Sequence, residues 1–370
     1  MGPIVPAPGG FAPVAFARIG CDAAGLEVVM SVFEDFRMSM EHVFSCEINP
    51  TLRKFIQERF SPRRMYSDMS LRDNTLKTTI DEEDLDFYIN GIPCQPYSRA
   101  GKNLGENDPR GGLFVSAYDF ILHRQPRSFI IENVENLVKE HAQLFDVWLS
   151  SLKGLGNYEV SWKILVTSDH GIPQNRRRVY IVGLRKDVQK RCFNFPEPVP
   201  SVPLDMLLDP DLPAPGGKPA PGGKKWMVLP PSCNKTAFNN VRRGLTELIK
   251  RGLHPEVTAA VIDQQASRGT LTIGRSPTLT ASRCKTGGFW LLHKGRTMTR
   301  DEMMRLQGMR PRRFLPTPGM TPSALNHAVG NAMSGNVLHR LLACVAWYLG
   351  MDAVQDQWSA PAEAVVNLLQ

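Results

Sequence analysis

The sequence of 370 residues contains seven cysteines and no CxxC pair. They stand at positions 21, 46, 94, 192, 233, 284 and 344. An odd number without paired spacing argues against both a disulfide framework and a cysteine-rich zinc site, and fits a reducing compartment. No apolar run reaches the roughly 18 residues of a membrane span. Residues 1–10 lack a charged stretch leading into an apolar one, so a secretory signal is not expected. Aromatic residues are scarce at 8%, but hydrophobic residues make up 42%, enough for a packed core. At roughly 150 residues per domain, the length suggests two domains, or one large domain with an insertion.

What is plentiful is positive charge in one part of the chain. Overall, 44 Lys+Arg face 36 Asp+Glu, a net of +8. Residues 171–313 hold 26 basic against 10 acidic side chains, whereas the remaining residues hold 18 against 26. A basic block of that size suits a polyanion, nucleic acid first. A solvated lysine-rich surface is the plainer alternative. Proline is equally uneven: 11 of 29 fall within residues 196–232, where PAPGGK occurs twice in tandem at 213–218 and 219–224. Such composition propagates neither helix nor sheet and reads as a linker or loop.

Before that stretch, apolar runs at 42–48, 85–89, 128–131, 162–167 and 178–183 read as strands. Helical patterns at 50–60, 113–124 and 144–155 alternate with them. Alternation of this kind indicates a mostly parallel sheet covered on both faces. After it, residues 236–250 look helical and basic, and 332–349 read as a long apolar helix.

Three motifs carry chemistry. Gly91-Ile92-Pro93-Cys94-Gln95-Pro96-Tyr97-Ser98 follows a strand, and ligands gather at the carboxyl ends of strands in open α/β sheets. Cys94 there is either a nucleophile or a structural turn cysteine. Glu132-Asn133-Val134 ends the next strand; a buried carboxyl group there could give a proton or a hydrogen bond, or the pair could cap the following helix. Gln174-Asn175-Arg176-Arg177-Arg178 precedes another strand. Arg176 and Arg178 would point the same way on extended chain, to bind a base carbonyl or phosphate or simply to face solvent.

In this order the three motifs resemble the cytosine-C5 DNA methyltransferase family: Pro-Cys-Gln at 93–95, Glu-Asn-Val at 132–134 and Gln-x-Arg-x-Arg at 174–178. Asp108-Pro109-Arg110-Gly111-Gly112-Leu113-Phe114, Arg296–Glu302 with Arg305-Leu306-Gln307-Gly308, and Gly330-Asn331-Ala332 opening an apolar helix extend the resemblance over residues 14–349. The resemblance implies an α/β fold with a Rossmann-like, mostly parallel seven-stranded sheet, the class I methyltransferase arrangement, and a small target-recognition domain. The catalytic domain is expected at 13–190 and 275–350, the recognition region at 191–274 with a linker at 196–232, a flexible N-terminus at 1–12 and a C-terminal tail at 351–370.

The family's chemistry then assigns roles. Cys94, as thiolate, adds to C6 of a cytosine flipped out of double-stranded DNA. Glu132 holds N3, Arg178 with Arg176 holds the O2 side, and Asn133 steadies the loop. S-adenosylmethionine is the implied cofactor, contacted by Gly20, Glu47, Asp68, Met69, Pro93 and Asn331. Its glycine loop departs from the family pattern, with Arg18 in place of an aromatic and one glycine pair missing. Ser98, Gln174, Arg242 and Arg243 are the expected nucleic-acid contacts; Lys235, Asn239 and Arg268 are further candidates. No metal and no membrane are implied. The expected location is the nucleus in a eukaryote or the cytoplasm in a bacterium. Two alternatives stand beside this reading. One is a tRNA cytosine-C5 methyltransferase, though the Cys-Phe-Thr string of that relative is absent and Cys192-Phe193-Asn194 is the nearest match. The other is a degenerate, non-catalytic DNA-binding member.

Overall fold

In this computed structural model the described residues are 16–22, 26, 28–36, 38–74, 85–92, 112–210, 221–351 and 356–370. Pro93, Cys94 and Ser98, the N-terminal stretch 1–12 and most of the tandem repeat lie outside them.

Seven strands form the main sheet: β1 (Phe16–Asp22), β2 (Ser39–Cys46), β3 (Arg64–Tyr66), β4 (Phe87–Asn90), β5 (Ser128–Val134), β6 (Tyr158–Val166) and β7 (Arg177–Arg185). Their order is β3-β2-β1-β4-β5-β7-β6. Pairing is parallel from β3 through β5, and β7 alone runs against its neighbours. The expected Rossmann-like, mostly parallel sheet is therefore present. The chain moves outward from β1 to β3 and then returns to β4 on the other side of β1. That reversal opens a crevice at the carboxyl ends of β1 and β4.

The strands are apolar on both faces because both are covered. Phe87 and Ile89 of β4, Ile130 of β5 and Tyr180 and Val182 of β7 join one core cluster. Their sequence neighbours Tyr88, Phe129, Ile131, Val179 and Ile181 join the other. This is the two-residue period of a strand. On the first face lie α1 (Val28–Asp35) and α2 (Pro50–Phe60); on the second lie α3 (Leu113–Arg124), the short α4 (Asn136–Lys139) and α5 (Ala142–Gly154). Asn49 starts α2 by accepting hydrogen bonds from the N–H groups of Thr51 and Leu52, with Pro50 at the first helical position.

A second layer of organisation follows the proline-rich stretch. Helix α6 (Lys235–Lys250) packs on a four-stranded antiparallel sheet ordered β11-β10-β8-β9, made of β8 (Ala260–Asp263), β9 (Leu271–Ile273), β10 (Phe289–Leu291) and β11 (Arg296–Thr297). This sheet takes two strands from either side of residue 274, where the sequence reading placed a boundary. Helices α7 (Ala281–Thr286), α8 (Arg300–Leu306), α9 (Pro322–Asn331), α10 (Gly335–Tyr348) and α11 (Ala362–Leu369) complete the chain.

Three sequence expectations change. Residues 196–210 do not behave as a linker: Val202, Leu204, Leu207 and Leu208 are buried in the main core, and Arg305 and Thr299 bond the Asp209 carboxylate. Apolar side chains between the prolines supply the anchorage that composition alone concealed. Gly330-Asn331-Ala332 close α9 rather than open the long helix. Ala332 is extended at φ −62° and ψ 149°, and α10 begins at Gly335. Residues 356–370, expected as a C-terminal tail, place Trp358, Val365 and Leu369 in the core. Among the described residues, no helix is long and apolar enough to cross a membrane.

Candidate active site

The carboxyl edge of β1 is built around a charge. Asp22 is fully buried and receives both terminal nitrogens of Arg72, at 2.8 and 2.7 Å. The Tyr88 hydroxyl donates to the same carboxylate at 2.6 Å, and Asn90 Nδ2 donates to that hydroxyl at 2.8 Å. Burial alone would lower the Arg72 pKa, but the Asp22 carboxylate overrides it and raises it. Arg72 also lies against the rings of Phe44, Tyr66 and Phe120. It closes the turn that carries Asp68, so the pair ties that turn to the end of β1. The Gly91 N–H donates to Asp22 O at 2.9 Å, fixing the chain that leads into Pro93 and Cys94. The signal was present in the sequence: an Asp and a Tyr inside apolar strands each require a partner once buried.

Gly20 lies within β1, paired directly with Phe44 of β2. A Cβ added there would meet Phe44 Cε1 at 2.2 Å. Its small size makes room for the ring that supports Arg72. Packing against Phe44 is by itself a reason for glycine at this position in the strand.

Glu47 directly follows β2, the strand end expected for it, and Asp68 lies two residues beyond β3. Glu47 Oε1 accepts the Asn49 N–H at 2.8 Å. Burial raises the Glu47 pKa, with the Asn49 N–H and Arg53 opposing it. Asp68 Oδ1 accepts the N–H and the hydroxyl of Ser70 at 2.8 and 2.7 Å. Met69 is buried in the core and offers little surface. Ile48, which the sequence reading passed over, is 74% exposed beside Glu47 and gives this edge an apolar wall. Asn331 is exposed at the end of α9.

The other half of the site lies where β5 ends beside the start of β7. The antiparallel register pairs Glu132 with Tyr180 and Val134 with Arg178. Glu132 is 8% exposed. Its Oε1 lies 3.1 Å from Arg178 Nε and 4.0 Å from Arg176 Nη2, and accepts no hydrogen bond. Two guanidinium groups offset the cost of burying this carboxylate, and a free acceptor position remains on it. Asn133 accepts the Val134 N–H at 2.8 Å and donates to Ile92 O at 3.4 Å, bracing the strand that leads to Pro93.

The first two named residues of Gln-x-Arg-x-Arg, Gln174 and Arg176, are spoken for. Gln174 is fully buried; its Nε2 donates to Leu306 O and Gln307 Oε1, both at 2.7 Å, and its Oε1 accepts the Leu279 N–H at 3.1 Å. The expected nucleic-acid contact at Gln174 is not what this arrangement offers, since no surface of the amide faces outward. Arg176 donates to three backbone carbonyls, those of Leu279, Gly330 and Ala332. Glu132, Arg178 and Asn133 are therefore brought together at one strand end, while Arg176 and Gln174 back them from inside.

A family model described as C-5 cytosine-specific DNA methylase matches residues 15–346. The chain belongs to that family. A Type II methyltransferase of Neisseria lactamica is 36% identical over 199 residues, 51% of this chain and 44% of that protein. One of Neisseria gonorrhoeae is 38% identical over 172 residues, 46% and 51% of the two chains. The chain spans about half the length of the curated relatives it matches. A putative DNA modification methyltransferase encoded within a prophage of E. coli shares the fold, with a TM-score of 0.63 at 19% identity, over 90% of this chain and 99% of that one.

Within the family member described here, α6 presents its polar side outward. Ala237, Asn240, Val241, Gly244 and Leu248 are buried, whereas Lys235, Asn239, Arg242 and Arg243 are exposed. Asn240 clamps the β8–β9 loop, donating to Gln264 O and Ala266 O and accepting from the Gly269 N–H. Arg243 joins that clamp through Asn240 Oδ1 and Gly269 O. The Arg242 side chain lies over the Phe238 ring, at 5.9 Å from its centroid. The structure thus separates two residues that the sequence left equivalent.

The Gly20 assignment has a direct check. Gly20→Ala should lower stability by about 1–3 kcal/mol through overpacking. Combined with Phe44→Leu, it should cost less than the two single losses added together, read by denaturant unfolding. Strict additivity would contradict packing on Phe44 as the constraint at Gly20.

Proposed function

We infer that this chain is a DNA (cytosine-5-)-methyltransferase that uses S-adenosylmethionine and Cys94. The observation that carries the reading is the Glu132 carboxylate, buried at the end of β5, with Arg178 and Arg176 beside it and one acceptor position open. That constellation suits a cytosine ring, whose N3 and O2 form adjacent polar edges. Cys94 follows β4 by four residues, and β4 neighbours β5, so the nucleophile segment leaves the sheet next to Glu132.

The residues at the carboxyl ends of β2, β3 and β4 fit the cofactor. Ionised Glu47 is an acceptor pair for ribose hydroxyls, Asp68 is an acceptor for an adenine amine, and exposed Ile48 is an apolar surface for the ring. Asn90 Oδ1 is a buried acceptor without a partner at the same edge. S-adenosylmethionine supplies an electrophilic methyl group when bound.

The chain's own residues do the rest. A flipped cytosine enters between Glu132 and Arg178, since C5 and C6 are closed to attack in the base stack. The Cys94 thiolate adds to C6 and pushes the C5–C6 electron pair toward C5. Glu132 holds N3, and Arg178 holds O2 with a planar, permanently charged group. After C5 gains its methyl group, loss of the C5 proton re-forms the double bond and releases the thiolate. The exposed side of α6, with the clamped β8–β9 loop, serves as the recognition unit, where phosphate contacts give affinity and a few side chains read bases.

Two measurements test the reading. Duplex DNA carrying 5-fluorocytosine at its target should form a covalent adduct that survives denaturing electrophoresis, because fluorine cannot leave as a proton; Cys94→Ser should abolish it. Methyl transfer without any adduct would contradict the assigned nucleophile. Arg242→Ala should lower the salt slope of DNA binding by about one unit and leave unfolding unchanged. An unchanged slope would remove α6 from the interface.

A further inference from the structure

Arg176 and Arg178 both reach Glu132, yet their surroundings differ. The Arg178 side chain is 14% exposed, and its Nε faces the carboxylate. Arg176 is buried inside the protein. Its Nη1 donates to Leu279 O at 3.1 Å and Gly330 O at 3.3 Å, and its Nη2 donates to Ala332 O at 2.9 Å. Gly330 and Ala332 are the residues on either side of Asn331, which the functional reading sets against the cofactor. The nitrogen that binds Ala332 O also lies 4.0 Å from Glu132 Oε1. One rigid group thus touches the peptides flanking Asn331 and faces the carboxylate that receives the base.

There is little slack around it. A Cβ at Gly330 would lie 2.4 Å from Ala281 N and 2.5 Å from Thr280 C. Gln307 Nε2 binds Val329 O at 3.0 Å and Ala332 O at 2.9 Å, and Gln174 holds Gln307 in turn. A guanidinium group is planar, so it cannot turn toward the carboxylate without changing its bonds to the carbonyls.

We propose that Arg176 is a positioning residue that couples occupancy of the cofactor edge at Asn331 to the placement of Glu132. The proposal rests on the functional reading above. A ligand pressed against Asn331 biases the 330–332 peptides, the guanidinium follows its carbonyl partners, and the positive charge beside Glu132 moves with it. Close, buried charges respond steeply to small displacements. The coupling is reciprocal: a base held at Glu132 tightens the cofactor edge by the factor by which the cofactor tightens the base.

The test uses binding rather than turnover. S-adenosylhomocysteine, which has no methyl group to give, is titrated calorimetrically into the full chain alone and with saturating target duplex. The intact protein should bind the probe about 5–150-fold more tightly with duplex present, the usual range of such coupling. In Arg176→Lys the ratio should fall toward one while affinity for the probe alone changes little, an effect that a merely structural role would not produce. Arg176→Gln, which keeps an N–H for Ala332 O, replaces the lysine variant if that one does not fold. A ratio of one in the intact protein, or an undiminished ratio in the variant, overturns the coupling. An intact protein that binds neither probe nor duplex overturns the functional reading itself.

Discussion

The site depends on one strand running backward. β7 is inserted antiparallel between β5 and β6, so its start lies beside the end of β5. A parallel β7 would have placed Gln174, Arg176 and Arg178 at the opposite edge of the sheet. The reversal sets two arginines against Glu132 and draws three further segments to the same point. Residues 173–175 and 276 exchange backbone hydrogen bonds, Gln174 reaches the end of α8, and Arg176 reaches the end of α9. Parts of the chain more than 100 residues apart in sequence thereby converge behind one carboxylate.

The buried charges at the ends of β1 and β5 are backed in different ways. At β1, Asp22 and Arg72 neutralise each other completely and are enclosed by aromatic rings, an arrangement that fixes the Asp68 turn but leaves nothing for a ligand. At β5, Glu132 keeps an unfilled acceptor position with its arginines at 3.1 and 4.0 Å. The first is a closed pair that shapes the crevice; the second is an open one that can accept a hydrogen bond. A pair such as Arg296–Glu302 beside β11 belongs with the first, since Glu302 also fills a capping box with Thr299.

The parallel sheet was legible because its strands and helices alternate with clear periods; α2 and α3 fall on the residues the pattern named. The placement of Glu132, Arg178 and Glu47 at or just beyond strand ends was legible from the apolar runs beside them. Other residues were hidden for physical reasons. The packing constraint on Gly20 shows only once its neighbour on the adjacent strand, Phe44, is known. Gln174 and Arg176 look like surface residues in a polar string, yet their partners come from residues 279, 307 and 330–332. Residues 196–210 look like a linker because prolines dominate the composition, although four apolar side chains decide the packing. In each case the deciding contact is long-range, and no local pattern carries it.

The proposed reaction acts at a single chemical position, C5 of cytosine. Duplex DNA incubated with the protein and S-adenosylmethionine can be digested to nucleosides and examined by mass spectrometry. The account predicts 5-methyl-2′-deoxycytidine as the only methylated nucleoside, absent when Glu132→Gln or Arg178→Ala replaces the intact protein. Methylation at an exocyclic nitrogen, or 5-methylcytidine from tRNA with none from DNA, would contradict it.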